Sequence, residues 1–348
     1  MKETAIVICP GRGTYSKPEL GYFGRYHGLK SEFLDTLDAY RGRQQQVSIS
    51  DLDGAATFSS RRHTTGDNAS LLIYACALAD FADINQNQFD IVGVTGNSMG
   101  WYLALACAGV LGQEAAMHLV NTMGVLMHEE GPGGQIIYPL VDENWLPAPA
   151  LAQRLQKTLD AAADRPDVFI AHSIHLGGMA ILAANDKGLA YLQESLPPEQ
   201  ERYPLVLPNH GGFHSELMKA VSKKARDKLK PELFLSPQLP LIDGFGRIWQ
   251  PGACSLDGIY DYTLRDQICQ TYDYSKAIEV AIKEFAPDKL IILGPGTTLG
   301  APTAQVLIAH DWLGLADKND FTALQRQTPF VLSMGYEQQR QLVTGAGK

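Results

Sequence analysis

The sequence predicts an α/β protein: a large domain built on a parallel sheet, with a smaller domain inserted into it. Three observations carry that expectation. Apolar, β-branched runs alternate with helix-forming stretches, the pattern of strands covered on both faces. Gly- and Pro-rich turns close the ends of those runs. Between residues 133 and 205 the simple alternation gives way to the order βαββαβ.

In chain order, residues 5–9 are continuously apolar, as a central strand requires, and Pro10-Gly11-Arg12-Gly13 turns the chain. Residues 67–81 open on capping residues and continue in helix formers, predicting a buried helix. Residues 89–95 predict a second buried strand, 98–111 an apolar helix, and 288–294 a late strand closed by Gly294-Pro295-Gly296. The middle reads as strand 135–138, helix 149–163, strands 167–171 and 179–183, helix 186–195 and strand 203–207. That order is ferredoxin-like. The expected division is a discontinuous large domain over 1–132 and 206–312 and a small ferredoxin-like domain over 133–205. A polar tail over 313–348, rich in Gln (Gln325, Gln327, Gln338, Gln339, Gln341), is expected to be loosely attached.

Composition narrows the class. Of 348 residues 45% are hydrophobic and 19% charged, enough to bury a large core and to exclude wholesale disorder. With 29 Lys and Arg against 38 Asp and Glu the net charge is −9, which argues against a general nucleic-acid binder. The five cysteines have no CxxC spacing, so reduced thiols and a cytoplasmic location are expected. The run at 5–9 is too short for a signal-peptide core, and no stretch approaches the ~20 apolar residues of a membrane span.

The sharpest chemical signal is Gly96-Asn97-Ser98-Met99-Gly100, a G-x-S-x-G between a predicted strand and a predicted helix. In that context it reads as a nucleophile elbow, and the large domain reads as α/β-hydrolase-like. Ser98 Oγ would stand at a helix N-terminus, where the Met99 N–H stabilises an oxyanion. The competing reading is a plain Ser cap in a glycine-rich turn. A serine hydroxyl also needs a base. Nine histidines are available. His210 and His214, or His172 and His175, are the candidates, and the residues alone do not choose among them. A four-His zinc centre is disfavoured because no Cys or carboxylate ligand lies nearby in sequence, so no metal is expected.

Five ordered motifs resemble the malonyl-CoA:acyl-carrier-protein transacylases and the acyltransferase domains of polyketide synthases. Residues 9–13 match the family's Pro-Gly-Gln-Gly turn, and 96–111 match its Gly-His-Ser-Leu-Gly elbow and helix. Residues 213–218 (Phe213 to Met218) match its catalytic-His motif, 264–267 its Gln segment and 292–296 its late strand and turn. The resemblance spans roughly residues 6–307. It implies ping-pong acyl transfer with Ser98 as nucleophile and His214 as base. It also implies that the Gln267 backbone carbonyl orients the imidazole, and that the N–H groups of Met99 and Arg12 form the oxyanion hole. Acyl-CoA and phosphopantetheine thioesters would be substrates, with no bound cofactor, and an acyl carrier protein the partner.

The chain departs from that pattern around the acyl group. Met123 stands where malonyl-selective members place a carboxylate-binding Arg, Asn97 replaces the His before the nucleophile, and Trp101 replaces a Glu. A carboxylate buried without its cation is costly, so the expectation is an enzyme that is not malonyl-selective. Arg12 or Arg25 would be the residues to supply a cation from another direction, and the Arg12 side chain could equally point to solvent. Asn97, Trp101, Met123, Phe213 and His172 (in a loop after a strand) are the expected substrate contacts. Lys219, Lys223, Lys224, Arg226, Lys228 and Lys230 form a basic stretch, read either as a docking patch for an acidic carrier protein or as a solvated helix face. Two rival functions share the same residues: a thioester hydrolase, separated only by water's access to the acyl-enzyme, and a non-catalytic scaffold.

Overall fold

A computed structural model describes residues 2–345. The larger sheet has six strands: β1 (Glu3–Cys9), β2 (Phe89–Gly96), β7 (Leu241–Ile242), β8 (Ile248–Trp249), β10 (Lys289–Ile292) and β11 (Val331–Ser333). Their spatial order is β11-β10-β1-β2-β7-β8. Every pairing is parallel except β7 with the short edge strand β8, so the sheet is mixed at one edge. β1 lies at the centre, and Ala5 to Cys9 are fully buried, as a strand covered on both faces must be.

The second sheet holds β3 (Gly134–Pro139), β4 (Ile170–Leu176), β5 (Met179–Ala184) and β6 (Leu205–Leu207), with β9 (Tyr272–Asp273) at one edge. The order β6-β3-β5-β4, antiparallel throughout, is the ferredoxin-like arrangement. Helices Pro149–Ala163 and Asp186–Ser195 lie where the apolar spacing places them. β9 pairs in parallel with β4 although it lies far along the chain, so this sheet is completed from outside the 133–205 segment. β4 begins later than the apolar run at 167–171 suggests. Val168 N bonds Arg165 O at 3.1 Å, closing a turn, and the Asn185 side chain accepts from Phe169 N at 3.1 Å and donates to Asp167 O at 3.0 Å, so these backbone groups are bonded outside the regular ladder.

The polar tail is a correction. It is not loosely attached, because two of its glutamines, Gln325 and Gln339, bond backbone groups of β11 and the residue before it. Gln325 Oε1 accepts from Phe330 N and Val331 N, both at 3.0 Å, and Gln339 Oε1 accepts from Ser333 N at 2.6 Å, bracketing edge strand β11. Arg340 is buried against Asp80 and Tyr22. No helix among the described residues is long and apolar enough to cross a membrane.

Candidate active site

The site is built at the end of β2. Ser98 follows the strand with φ 56°, in the left-handed region that a side chain rarely occupies, and the helix Gly100–Cys107 starts two residues later. The helix ends before the predicted 111 because the chain reverses at Gly109 (φ 75°). The two motif glycines are needed for contact. A Cβ on Gly96 would lie 2.4 Å from the Gly100 backbone, and one on Gly100 would lie 2.3 Å from Cys9 O. Strand, turn and helix therefore meet backbone to backbone, and the turn is more than a Ser cap. Left-handed strain at Ser98 has a measurable counterpart. Ser98→Gly is expected to be more stable than Ser98→Ala by about 1 kcal/mol in urea unfolding. Equal stabilities would remove the strain argument.

Of the candidate histidines, the fold brings His214 to the nucleophile. Ser98 Oγ lies 2.7 Å from His214 Nε2, and His214 Nδ1 lies 2.6 Å from Gln267 O. The Gln267 carbonyl can only accept, so Nδ1 carries the proton and Nε2 is left to accept from the Ser98 hydroxyl. His214 is 3% exposed. Burial pushes its pKa down to about 4, against the smaller upward effect of the Gln267 carbonyl. The imidazole is thus neutral, in its base form, across the physiological range.

The same burial links the site to acid stability. Above about pH 6.5 His214 is uncharged in both native and unfolded states. Below that, the unfolded imidazole binds a proton that the native one refuses until about pH 4. Native stability is therefore expected to fall as pH drops through this window, by about 2 kcal/mol at pH 5 from His214 alone. His214→Asn should flatten the fall measured by denaturant unfolding between pH 7.5 and 5. An unchanged slope would contradict the assignment.

The Gln267 side chain, and several residues that sequence reasoning missed, hold this pair. Gln267 donates through Nε2 to Ser98 O at 2.9 Å, and its Oε1 accepts from Tyr102 OH at 2.8 Å. Tyr272 OH donates to Gly96 O at 2.6 Å while its ring packs 5.4 Å from the His214 ring. Ser173 Oγ donates to Phe213 O at 2.7 Å and accepts from Gln135 Nε2 at 2.6 Å, fixing the backbone just before the base. No local motif marks Tyr272, Gln135 or Ser173, because strand pairing alone brings them here.

Two spaces open from Ser98. A cleft of about 930 Å³ is lined by Asn97, Ser98, Gln135, His210 and Phe213. A small pocket of about 30 Å³ is lined by Arg12, Ser70, Tyr102, Val120, Met123, Gly124, Met127 and Phe213, together with Ser98, Met99, His214 and Gln267. Asn97, Met123 and Phe213 therefore line these spaces, and Met99 follows Ser98 at the start of its helix.

Two expected contacts do not hold. Trp101 is fully buried inside the elbow helix, its Nε1 donating to Thr263 Oγ1 at 2.9 Å and its ring edge-on to Tyr262 at 5.1 Å. His172 lies within β4, not in a loop, because that strand starts and ends later than predicted, and it lines neither space. Its ring instead packs 5.1 Å from His175. No group of three or more His, Cys, Asp or Glu able to hold a metal occurs among the described residues.

Of the two arginines that could supply a cation from another direction, only one faces the pocket. Arg25 turns away, bonding Leu20 O. Arg12 points inward: its Nη2 donates to Asn209 O at 2.6 Å and Thr64 O at 3.3 Å, and its guanidinium lies 5.3 Å from the Phe213 ring centre. The pocket that Met123 lines therefore has a cation among its lining residues, the Arg12 guanidinium.

Comparison with known proteins agrees with this architecture. No protein-family profile matches the chain. The same fold, over nearly the whole chain, occurs in solved structures of low sequence identity. The acyl-carrier-protein S-malonyltransferase of Burkholderia pseudomallei superposes with a TM-score of 0.75 at 18% identity, over 99% of this chain and 100% of that one. A malonyl-transacylase solved with its type II polyketide-synthase acyl-carrier protein gives a TM-score of 0.71 at 17% identity, over 99% and 100%. The malonyl CoA-acyl carrier protein transacylase of Bacillus subtilis (strain 168) is 25% identical over 147 residues, 42% of this chain and 44% of that protein. The curated relatives and structural neighbours are thus malonyl-CoA:acyl-carrier-protein transacylases, the family that the five motifs resemble. The chain spans 44–65% of the length of the first curated relatives it matches.

Proposed function

We propose that this protein moves an acyl group from a coenzyme A-type thioester to an acyl carrier protein through an ester on Ser98. The observation that carries the reading is the 2.7 Å Ser98–His214 contact, with its tautomer set by Gln267, at the mouth of a cleft large enough for a pantetheine arm. His214 Nε2 takes the Ser98 proton as Oγ attacks the thioester carbonyl. The tetrahedral oxyanion forms beside the Met99 and Arg12 N–H groups. The C–S bond then breaks, and the thiol leaves with the proton from His214. The carrier's thiol repeats these steps in reverse and frees Ser98. The thioesters enter as substrates, and no bound cofactor takes part.

A carrier-protein acceptor is supported by the neighbour solved with its acyl-carrier protein. The basic face after His214 suits an acidic partner. Lys219, Lys224 and Arg226 are paired with Glu216, Glu130 and Asp261, whereas Lys223, Lys228 and Lys230 have no ion pair among the described residues. The test is intact-mass analysis of protein loaded from acyl-CoA, followed by addition of holo-carrier protein. The acyl mass is expected to leave Ser98 and appear on the carrier. Release of free acid at the same rate without any thiol would replace transfer by hydrolysis.

A further inference from the structure

We infer that the Arg12 side chain is the specificity-determining residue of this site, receiving a free carboxylate at the far end of a short acyl group carried on Ser98. The inference rests on the acyl-Ser98 reading. Arg12 lines the small pocket together with Ser98 and His214. Its Nη2 is occupied by two carbonyls, but Nε and Nη1 are closed off from solvent and have no hydrogen-bond partner among the described residues. Buried guanidinium donors without an acceptor are rare, and in a pocket that opens on a nucleophile they point to an anionic ligand. Burial lowers the Arg12 pKa only to about 10, so the group remains a cation at neutral pH.

The surroundings leave that charge available. Asp67 is the acid whose field reaches it, but no carboxylate forms an ion pair with Arg12 among the described residues. His210 sits beside it with its pKa pushed down to about 3, by burial first and by the Arg12 charge second, so it stays neutral and does not compete for an anion. Gly66 keeps the space open: a Cβ there would lie 3.2 Å from Nη1 and 2.6 Å from Gly124 O. The remaining wall, with Val120, Met123 and Met127, is apolar and contributes no second cation. The cavity is small, about 30 Å³, which favours a short acyl group over a long one.

The test is the rate of Ser98 loading, by intact mass, from acetyl-, propionyl-, malonyl-, methylmalonyl- and succinyl-CoA, on the unmodified protein and on Arg12→Gln and Arg12→Lys. Arg12→Gln keeps the backbone N–H. The unmodified protein is expected to load malonyl or methylmalonyl at least about 100-fold faster than acetyl. Arg12→Gln should lower the ratio of malonyl to acetyl loading by about 100-fold, with Arg12→Lys in between. Parallel loss on charged and uncharged donors, or acetyl loading as fast as malonyl by the unmodified protein, would overturn the role of Arg12 while leaving acyl-Ser98 intact. Absence of any Ser98 adduct from any donor would overturn both. Should Arg12→Gln fail to fold, the ratio of malonyl to acetyl loading in the unmodified protein and in Arg12→Lys still decides.

Discussion

Replacing His214 by Asn is expected to slow loading of Ser98 from any thioester by at least about 10³-fold, with the fold retained. The size follows from what the imidazole does. Ser98 Oγ is a weak nucleophile until its proton has somewhere to go, and Nε2 at 2.7 Å is the acceptor positioned to take it. A positioned base contributes roughly 10² to 10⁴, and where a nucleophile and base act as a unit, removing one removes most of the gain. Asn is the substitution of choice because residue 214 has φ 55°, a conformation Asn tolerates better than Ala. A milder variant gives the contrast. Gln267→Ala keeps the backbone carbonyl that orients Nδ1 and removes only the Nε2 link to Ser98 O and the Oε1 link to Tyr102. It is expected to cost about tenfold. The measurement is single-turnover acylation followed by intact mass, with circular dichroism as the check on folding. Loading by His214→Asn within tenfold of the unmodified rate would mean that His214 is not the base.

The two histidine pairs show how far residues alone reach. The elbow was legible because G-x-S-x-G is a local motif with a local cause, the backbone contacts of Gly96 and Gly100. His214 was not legible from periodicity or spacing. It lies 116 positions from Ser98 in sequence, and only the resemblance to a family chose it over His210. Helices 149–163 and 186–195 were readable to the residue, since amphipathic spacing, the proline that opens the first and the Asn185 cap of the second are local. The start of β4 was misread because a turn at Val168 and the distant Asn185 side chain bond the backbone there outside the regular ladder. Trp101 looked like a substrate contact by position in the motif, yet a helix turns successive side chains about 100° apart, and this one faces Thr263. The tail was misjudged because composition sees glutamine as polar, whereas here Gln325 and Gln339 bond backbone groups of β11 and the residue before it.

Replacing Asp80 by Ala is expected to destabilise the protein by about 3–5 kcal/mol, the largest single-site stability effect among these predictions. Asp80 is fully buried and meets four groups at once. Its Oδ2 accepts from Tyr22 OH and from Gly294 N, both at 2.8 Å, and its Oδ1 lies 2.7 Å from His27 Nε2 and also accepts from Arg340 Nη2. Removing the carboxylate leaves Arg340 as an uncompensated buried cation and strips an acceptor from the Gly294 N–H. The double variant Asp80→Ala with Arg340→Met is therefore expected to recover part of the loss, as coupled partners do in a double-mutant cycle. The effect also carries a pH signature opposite to that of His214. Burial works against the charged form of His27, but its hydrogen bonds to Asp80 and Asp83 outweigh burial and raise its pKa. The His27 share of stability is thus fully present below the unfolded pKa of about 6.5 and is lost as pH rises through the raised native value. The gap between unmodified protein and Asp80→Ala should be wider at pH 6 than at pH 8.5 in urea unfolding. A gap under 1 kcal/mol at both, or one that widens with pH, would show that this cluster does not hold the C-terminal segment to the core. The consequence reaches the site through the backbone: Gly294 leads into the turn whose Gly296 packs on Thr14, and Thr14 Oγ1 donates to Gly11 O at 3.0 Å, one residue before Arg12.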